Sequence, residues 1–421
     1  MGASQPSSQR PETLTSIEIC AGAGGQAVGL DRAGFRHLAL VEYDRDAVET
    51  LRENVQTHRW EGWDGGRLAG LEPMDVKTFL DSPLLKGLDL GEGELDLFAG
   101  GVPCPPFSLA GKRLGRDDER DLFPYALDII EALKPKAVMI ENVRGILEPP
   151  HVFIEYRRGI LESLAKLGYA VPQIDCELSP ADQDRAMRSV WRRIDAYHFG
   201  VPQLRPRAVL VVIRRDLIDG PEDFPWPLRI HGEPVAAVDK LSHSMKERCR
   251  AFWTTEVRGK TGQKVYDTWR EAAEKAKKSR TRGVAPTLVG GSRKHGGADL
   301  GPSRAKKAWE AMGVDANGVA NDPEKCDPER DLFRPAGPML TVSQAAILQG
   351  FPETWRFMGG KTAKYRQVGN AFPPPVAEAV GRAIHAVLRP ESREEKLADY
   401  VIEGEGSAPE VPAEPEQIRV F

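Results

Sequence analysis

Residues 13–215 alternate short apolar runs with amphipathic helical stretches, and this alternation constrains the fold more than any other feature of the chain. The runs predicted as strands are TSIEICAG, HLALVEYD, LDLFAGG, KAVMIENV and RAVLVVIRR. The stretches predicted as helices are GQAVGLDRAG, DAVETLRENV, FPYALDIIEALK and YRRGILESLAKLG. Strands that alternate with helices in this way favour an α/β fold with a doubly wound sheet.

The 421-residue chain is long enough for two domains, and the alternation ends near Asp216. We predict one domain over residues 13–215 and a smaller, irregular domain over 216–350, with one convincing helix near 265–280. Residues 351–390 return to the first domain through a helix with an apolar face. Both ends, 1–12 and the acidic tail 391–421, are predicted to be disordered.

Cysteine usage and hydropathy indicate the cellular compartment of the protein. The five cysteines are widely spaced and form no CxxC pair, so we expect neither a disulfide framework nor a zinc site, and no other metal. No run of eighteen apolar residues occurs, and the N-terminus lacks an apolar signal region. We therefore expect a soluble, cytoplasmic protein without a membrane partner.

Charge is distributed unevenly along the chain. The net charge is −4, yet residues 240–310 hold 18 Lys/Arg against 7 Asp/Glu. A basic segment within an acidic protein predicts a polyanionic partner for that segment. The alternative is a solvated lysine-rich surface helix.

A glycine-rich turn follows the first predicted strand. In CAGAGGQAVGL, Gly22, Gly24 and Ala27 fit the dinucleotide pattern GxGxxA, and Glu42 lies 20 residues after Gly22 at the end of the second strand. Such a carboxylate can hold a ribose hydroxyl, so the pattern suits NAD or another adenosine cofactor. Asp75, in PMDV, is a further candidate, as an acceptor for an adenine amino group.

Cys104 and Glu141 follow two strands that are separated by one helix. Cys104 lies in GGVPCPPFS, after LDLF, and Glu141 ends AVMI. If these strands are parallel neighbours, both side chains emerge at the carboxyl edge of the sheet. An accessible thiolate is a nucleophile, and a partly buried carboxyl can donate or accept a proton. The structural alternatives are a reduced core thiol and a salt bridge at the end of the strand.

Two arginines begin the last predicted strand. Arg205 and Arg207, in GVPQLRPRAVLVV, are two residues apart and are expected on one face. Two guanidinium groups suit a phosphate and a carbonyl oxygen. The alternative is a solvated strand edge.

The order of these motifs resembles the DNA cytosine-5 methyltransferase family, of the bacterial restriction–modification type. The matching stretches are AGAGG, VEYD, PCPPFS, ENV, GVPQLRPR, LQGFP and QVGNAFPPPVA, which cover about residues 14–388. The resemblance implies a Rossmann-like, S-adenosylmethionine-dependent methyltransferase sheet, and it makes 216–350 a target-recognition domain.

The resemblance also implies a reaction and roles for the candidate residues. A methyl group would pass from S-adenosylmethionine to carbon-5 of a cytosine that is flipped out of a specific duplex DNA sequence. Cys104 would add to carbon-6, and Glu141 would hold a proton at ring nitrogen N3. Arg207 would contact the ring oxygen, and Arg205 would lie near a backbone phosphate or the thiol.

Cofactor and DNA contacts are carried over by motif position. Glu42 would hold the ribose, Asp75 would lie near the adenine, and Asn370 would close the site. The implied cofactor-binding residues are Ala21, Gly22, Gly24, Gly25, Glu42, Asp75, Pro103 and Asn370. The DNA contacts are expected in the basic region, at Arg282, Arg293, Lys294, His295 and Arg304. Cys20 departs from the family, which usually has Phe there to stack on the adenine.

Three other functions are weighed against this one. An NAD-dependent oxidoreductase would leave Cys104 and the basic segment without a purpose. A cytosine-5 tRNA methyltransferase would carry a Cys-Phe-Thr motif, which this sequence lacks. A catalytically silent DNA-binding homologue is disfavoured because Cys104, Glu141 and Asn370 are all present. The resemblance further implies a monomeric bacterial enzyme with a cognate restriction endonuclease as a possible partner.

Overall fold

A computed structural model describes residues 13–61, 63, 67, 70–103, 121–290 and 299–405. The strands in this part of the chain are β1 (Leu14–Ile19), β2 (Phe35–Val41), β3 (Leu97–Gly100), β4 (Ala137–Val143), β5 (Trp191–Asp195), β6 (Pro206–Ile213), β7 (Pro227–Ile230), β8 (Glu256–Val257), β9 (Lys260–Thr261) and β10 (Tyr400–Ile402).

The helices of the described residues include four long ones between the strands of the sheet. They are α1 (Gly25–Ala33), α2 (Arg45–His58), α3 (Pro83–Lys86), α4 (Phe123–Leu133), α5 (Pro150–Lys166), α6 (Pro180–Met187), α7 (Ala237–Arg250), α8 (Gly262–Lys277), α9 (Ser303–Ala311), α10 (Pro328–Asp331), α11 (Val342–Gln349), α12 (Lys361–Asn370), α13 (Pro374–Leu388) and α14 (Arg393–Leu397). None of the helices in this part of the chain is both long and apolar enough to cross a membrane.

The central sheet has six strands in the order β2-β1-β3-β4-β6-β5. Strands β1 to β4 run parallel, and β6 pairs antiparallel with both β4 and β5. All five predicted strands are present, and β3 and β4 are parallel neighbours as expected. The sequence WRRID of β5 was not predicted as a strand, because its two arginines break the apolar run. Both arginines form ion pairs, Arg192 with Glu403 and Arg193 with Asp195 and Glu148.

Helices cover both faces of this sheet, which confirms the α/β, doubly wound class. Apolar residues of α4 and α5 pack on one face, against Ile17 and Val138. Helices α1 and α13 pack on the other face, against Leu14 and Val209. The two helices lie very close together, since a Cβ atom added at Gly29 would stand 2.5 Å from the Cβ of Ala377. The returning C-terminal helix is therefore part of the first core.

A separate hydrophobic cluster holds most of the apolar side chains from residues 236–371. It contains Trp269 of α8 and Trp309 of α9, and it meets the first domain at Ala23 and Val28. The expectation of one helix in this region was too low, since α7, α8, α9 and α11 all contribute. Two of the helices that were not predicted, α9 and α11, span only 9 and 8 residues and are too short for a clear helical period, whereas α7, of 14 residues, was missed despite its length.

Two predicted boundaries are wrong. Residues after Asp216 still belong to the first core, because Phe224 and Trp226 are buried against the face that carries α13. The tail is not disordered from Glu391, since α14 and β10 follow and β10 pairs antiparallel with β7. The buried residues Leu397, Tyr400 and Ile402 anchor it, and the acidic composition obscures this short apolar pattern. Residues 1–12 and 406–421 lie outside the described part.

Candidate active site

A cavity of about 610 Å³ opens where the parallel strands end. Its walls come from the residues that follow β1, β2 and β3 and from the end of β4, the edge at which open α/β sheets bind ligands. The predicted residues that line it are Ala21, Gly22, Gly25, Glu42, Asp75, Pro103, Glu141, Arg207 and Asn370. The structure thus brings together nine predicted residues from seven separate stretches of the chain.

The glycine-rich turn that follows β1 forms one wall of the cavity. Gly22 has a φ of +54°, and no atom of the described residues lies within 4 Å of the position that its Cβ would occupy, so the turn leaves open space there for a ligand. Gly25 is enclosed instead, because a Cβ there would lie 2.3 Å from the carbonyl oxygen of Phe372. Gly24 does not line the cavity. It lies within the turn with a φ of +86°, and a Cβ added there would stand 2.8 Å from a ring atom of Trp355.

Glu42 joins the first two loops of the site. Its carboxylate accepts hydrogen bonds from the backbone N–H groups of Gly22 at 2.8 Å, Tyr43 at 2.9 Å and Asp44 at 2.7 Å. Burial raises the pKa of Glu42, and these N–H donors oppose the shift. The carboxylate is therefore fixed in direction at the cavity wall. Tyr43, 75 % exposed, lies beside it on the same wall.

Asp75 reaches the cavity through a short 3-10 turn. Its carboxylate accepts from the N–H of Lys77 at 3.0 Å and so begins the turn Val76–Thr78. The preceding residue, Met74, donates its N–H to the carbonyl of Glu42 at 2.8 Å. This bond ties the Asp75 loop to the end of β2.

Two polar side chains at the cavity have buried atoms without partners. Glu18, in β1, is 1 % exposed, and its Oε2 makes no hydrogen bond with any described residue. Gln26, in α1, is 3 % exposed, and within the described part of the chain neither end of its amide is bonded. Both line the cavity, and an unpaired buried polar group is costly unless something binds it. A ligand with charged and polar ends, such as an amino-acid–nucleoside cofactor, fits this donor and acceptor set.

Glu141 and Arg207 form the wall of the cavity on β4 and β6. The register places Glu141 opposite Val209 and Arg207 opposite Val143, so both side chains share one face. The Nε of Arg207 lies 2.8 Å from Oε1 of Glu141. Burial raises the pKa of Glu141, while the neighbouring Arg207 and Arg205 guanidinium groups oppose the shift. A buried carboxyl with a raised pKa can hold a proton for transfer.

The loop after β3 approaches this carboxyl. A Cβ at Gly101 would stand 3.4 Å from Oε2 of Glu141, and Asn142 donates to the carbonyl of Val102 at 2.7 Å. Pro103 is the last described residue of the loop and lines the cavity. Cys104, predicted as the nucleophile, lies outside the described residues.

Arg205 is fully buried and does not line the cavity, which corrects its expected place near a backbone phosphate. The other expected neighbour, the thiol of Cys104, lies outside the described residues. The Arg205 side chain is 0 % exposed and donates to the carbonyls of Leu288 at 2.7 Å, Gly369 at 2.6 Å and Ala371 at 2.8 Å. Arg205 precedes β6 and points into the contact between two distant segments, whereas Arg207 lies within the strand.

The C-terminal segment closes the cavity from the side opposite the sheet. Asn370 is the last residue of α12 and lines the cavity, as predicted. Arg366, on the same helix, also lines it and binds the carboxylate of Asp44 at 3.0 Å. The ion pair attaches α12 to the start of α2.

The residues predicted to contact DNA are not gathered at this cavity. Arg282 forms an ion pair with Glu233 at 3.0 Å, and Arg304 is exposed at the start of α9. Neither lines the cavity. Arg293, Lys294 and His295 lie outside the described residues.

The cavity residues that sequence reasoning missed include Glu18, Gln26, Arg366 and Tyr43. A charge in the apolar strand LTSIEI and an amide on the buried face of α1 are local signals that could have identified the first two. Arg366 carries no such signal, because its position depends on the return of α12.

Comparison with known proteins agrees with this geometry. The model of the family described as C-5 cytosine-specific DNA methylase matches residues 14–386. The chain is similar to Type II methyltransferase M.NaeI of Lentzea aerocolonigenes, at 42% identity over 90% of this chain and 76% of the relative. It is also similar to Type II methyltransferase M.NgoMIV of Neisseria gonorrhoeae, at 39% identity over 90% of this chain and 99% of the relative.

A solved structure supports the fold. A DNA modification methyltransferase from an Escherichia coli prophage superposes with a TM-score of 0.50 at 19% identity, and covers 89% of this chain and 99% of its own. With the family match over most of the sequence, the chain belongs to the C-5 cytosine-specific DNA methylases and is an S-adenosylmethionine-dependent DNA cytosine-5 methyltransferase.

Proposed function

We propose that Cys104, Glu141 and Arg207 carry the transfer of a methyl group to carbon-5 of a cytosine in duplex DNA. The observation that supports this is the Glu141–Arg207 pair, which lies at the cavity wall beside the loop that ends at Pro103. Cys104 follows Pro103 directly in the chain. A nucleophile, a proton donor and a cation would then meet at one edge of the sheet.

The chemistry requires these three groups. Carbon-5 of cytosine is a weak nucleophile until a thiolate adds at carbon-6, and Cys104 supplies that thiolate. The addition places negative charge on the ring, so Glu141 delivers a proton to N3. Arg207, held by Glu141, stabilises the charge at the ring oxygen. After methylation, loss of the carbon-5 proton and of the Cys104 sulfur restores the aromatic ring.

The other cavity residues would hold S-adenosylmethionine, whose sulfonium makes its methyl group electrophilic. Glu42 would bind the ribose hydroxyls, and Asp75 would bind the adenine amino group. Glu18 and Gln26 offer their unpaired polar atoms to the charged amino-acid end. Tyr43 offers an exposed aromatic face for the adenine, a role that Cys20 cannot fill.

Residues 236–350 form the target-recognition domain in this proposal, with the basic stretch 240–310 held against DNA. The phosphate contacts would include Arg282 and Arg304 and give the affinity a steep dependence on salt. The target cytosine must leave the duplex to reach the cavity.

The enzyme would act as a monomer in the bacterial cytoplasm, as part of a restriction–modification system. The support is the naming of both relatives as Type II methyltransferases. A cognate endonuclease acting on the same site is the corresponding partner.

The direct test measures transfer of labelled methyl groups from S-adenosylmethionine. Mixed-sequence duplex DNA should become labelled, tRNA should not, and Cys104→Ser should abolish the signal while it retains binding of S-adenosylhomocysteine. Labelling of tRNA alone would favour the RNA enzyme. Cofactor and DNA binding without any labelling would favour the catalytically silent homologue.

A further inference from the structure

Segment 284–290, which lies within the basic stretch 240–310, runs directly behind a cavity residue. A Cβ added at Gly290 would lie 2.0 Å from Oδ1 and 2.7 Å from Cγ of Asn370. The contact is reciprocal, because a Cβ at Gly369 would lie 2.6 Å from the Cα of Gly290. Gly290 itself does not line the cavity. The backbone of this segment therefore supports the Asn370 amide from outside.

A buried polar cluster, Gln203, Arg205 and Gln349, fixes this contact. Each of the three side chains is 0 % exposed. Arg205 donates to Leu288 in the segment at 2.7 Å and to Gly369 beside Asn370 at 2.6 Å. One guanidinium thus holds both chain segments at a set separation.

The two glutamines complete the cluster. Gln203 accepts from the N–H of Leu288 at 2.8 Å and donates to Gln349 at 2.7 Å. Gln349 in turn donates to the carbonyl of Val368 at 2.9 Å. A buried cluster that is bonded in this way resists displacement, because each broken bond would leave a polar group unpaired.

We propose that Gly290 is a positioning residue for the cofactor site: the placement of segment 284–290 sets the orientation of Asn370 and thereby the affinity for the cofactor. The inference rests on the proposed cofactor role of Asn370. If the position of segment 284–290 raises the affinity for the cofactor, bound cofactor must stabilise that position of the segment by the same free energy. The recognition region and the cofactor cavity are then coupled through one backbone contact.

Gly290→Ala tests the proposal. The φ of Gly290 lies outside the left-handed region, so alanine fits the backbone, and the three atoms nearest to the added methyl group all belong to the side-chain amide of Asn370. We expect the melting temperature to change little and the Kd for S-adenosylhomocysteine to rise about tenfold, as for one lost hydrogen bond. The matched control is Gly159→Ala on α5, where no atom lies within 4 Å of the new methyl group.

A double-mutant cycle with Asn370→Ala separates positioning from general damage. In the Asn370→Ala background, Gly290→Ala should weaken binding no further, because the group it displaces is gone. Full additivity, or a Gly290→Ala affinity equal to that of Gly159→Ala, would overturn the proposal. Slower hydrogen exchange in 284–290 on adding S-adenosylhomocysteine is the expected reciprocal result, and unchanged exchange would also count against it. If the wild-type protein does not bind S-adenosylhomocysteine, the proposed cofactor site fails instead.

Discussion

Replacing Arg205 by lysine should reduce stability, although the residue lies in a motif whose other arginine faces the active site. Lysine keeps the charge and the aliphatic stem but loses the planar group that reaches three carbonyls at once. The carbonyl of Ala371 retains a second donor, the Gln349 amide at 3.1 Å. The carbonyls of Leu288 and Gly369 depend on Arg205.

The cost follows from those two carbonyls. A buried acceptor that loses its donor costs about 1–3 kcal/mol, and an ammonium at this position can rescue one of the two. We therefore expect Arg205→Lys to lower the free energy of unfolding by about 2 kcal/mol. For a chain of 421 residues the entropy of unfolding is about 0.9 kcal/mol/K, so the melting temperature should fall by about 2 °C.

Thermal melts and methyl-transfer kinetics on Arg205→Lys and Arg207→Lys provide the test. Arg207→Lys is the matched control, since its ammonium can still pair with Glu141. We expect it to keep its melting temperature and to lose activity, as its contact to the ring oxygen is altered. Arg205→Lys with an unchanged melting temperature and a large loss of kcat would refute the structural role assigned to Arg205.

Two further predictions concern titrating groups. Because burial raises the pKa of Glu141, activity should fall as the pH rises through that pKa and the proton for N3 is lost. Glu141→Gln should be at least about 100-fold slower and lack this alkaline limb in a pH–rate profile; an unchanged profile would exclude Glu141 as the proton donor. Burial, and then the Glu42 charge, also raise the pKa of Glu18. If its carboxylate pairs with the ammonium of the cofactor, binding of S-adenosylhomocysteine should release a proton and tighten as the pH rises. Calorimetry in buffers of different ionisation enthalpy measures that proton release. The release should disappear in Glu18→Gln, and a release that persists in this variant would contradict the role assigned to Glu18.

The parts of the site that local patterns specify were predictable. Gly22 and Glu42 follow from the spacing of a glycine-rich turn and the end of the next strand, and the structure joins them by a hydrogen bond of 2.8 Å. Glu141 followed from the parallel pairing of β3 and β4. In each case one strand–helix–strand unit fixes where the side chain emerges.

The different fates of Arg205 and Arg207 could not be predicted from the sequence. They are two residues apart and chemically identical. The role of Arg205 depends on its partners Leu288 and Gly369, which lie 83 and 164 residues away in the sequence. Glu18 and Gln26 were missed for a related reason. A polar residue within an apolar element is a visible local signal, but its role becomes clear only when the cavity beside it is known.

Trapping on duplex DNA that contains 5-fluorocytosine tests the central claim most directly. Fluorine at carbon-5 cannot leave as a proton does, so methylation in the presence of S-adenosylmethionine should leave the protein covalently bound to DNA. The account predicts an adduct that survives denaturation, maps by mass spectrometry to Cys104, and is absent from Cys104→Ser. An adduct at another residue, or none from a protein that binds both DNA and S-adenosylhomocysteine, would contradict it.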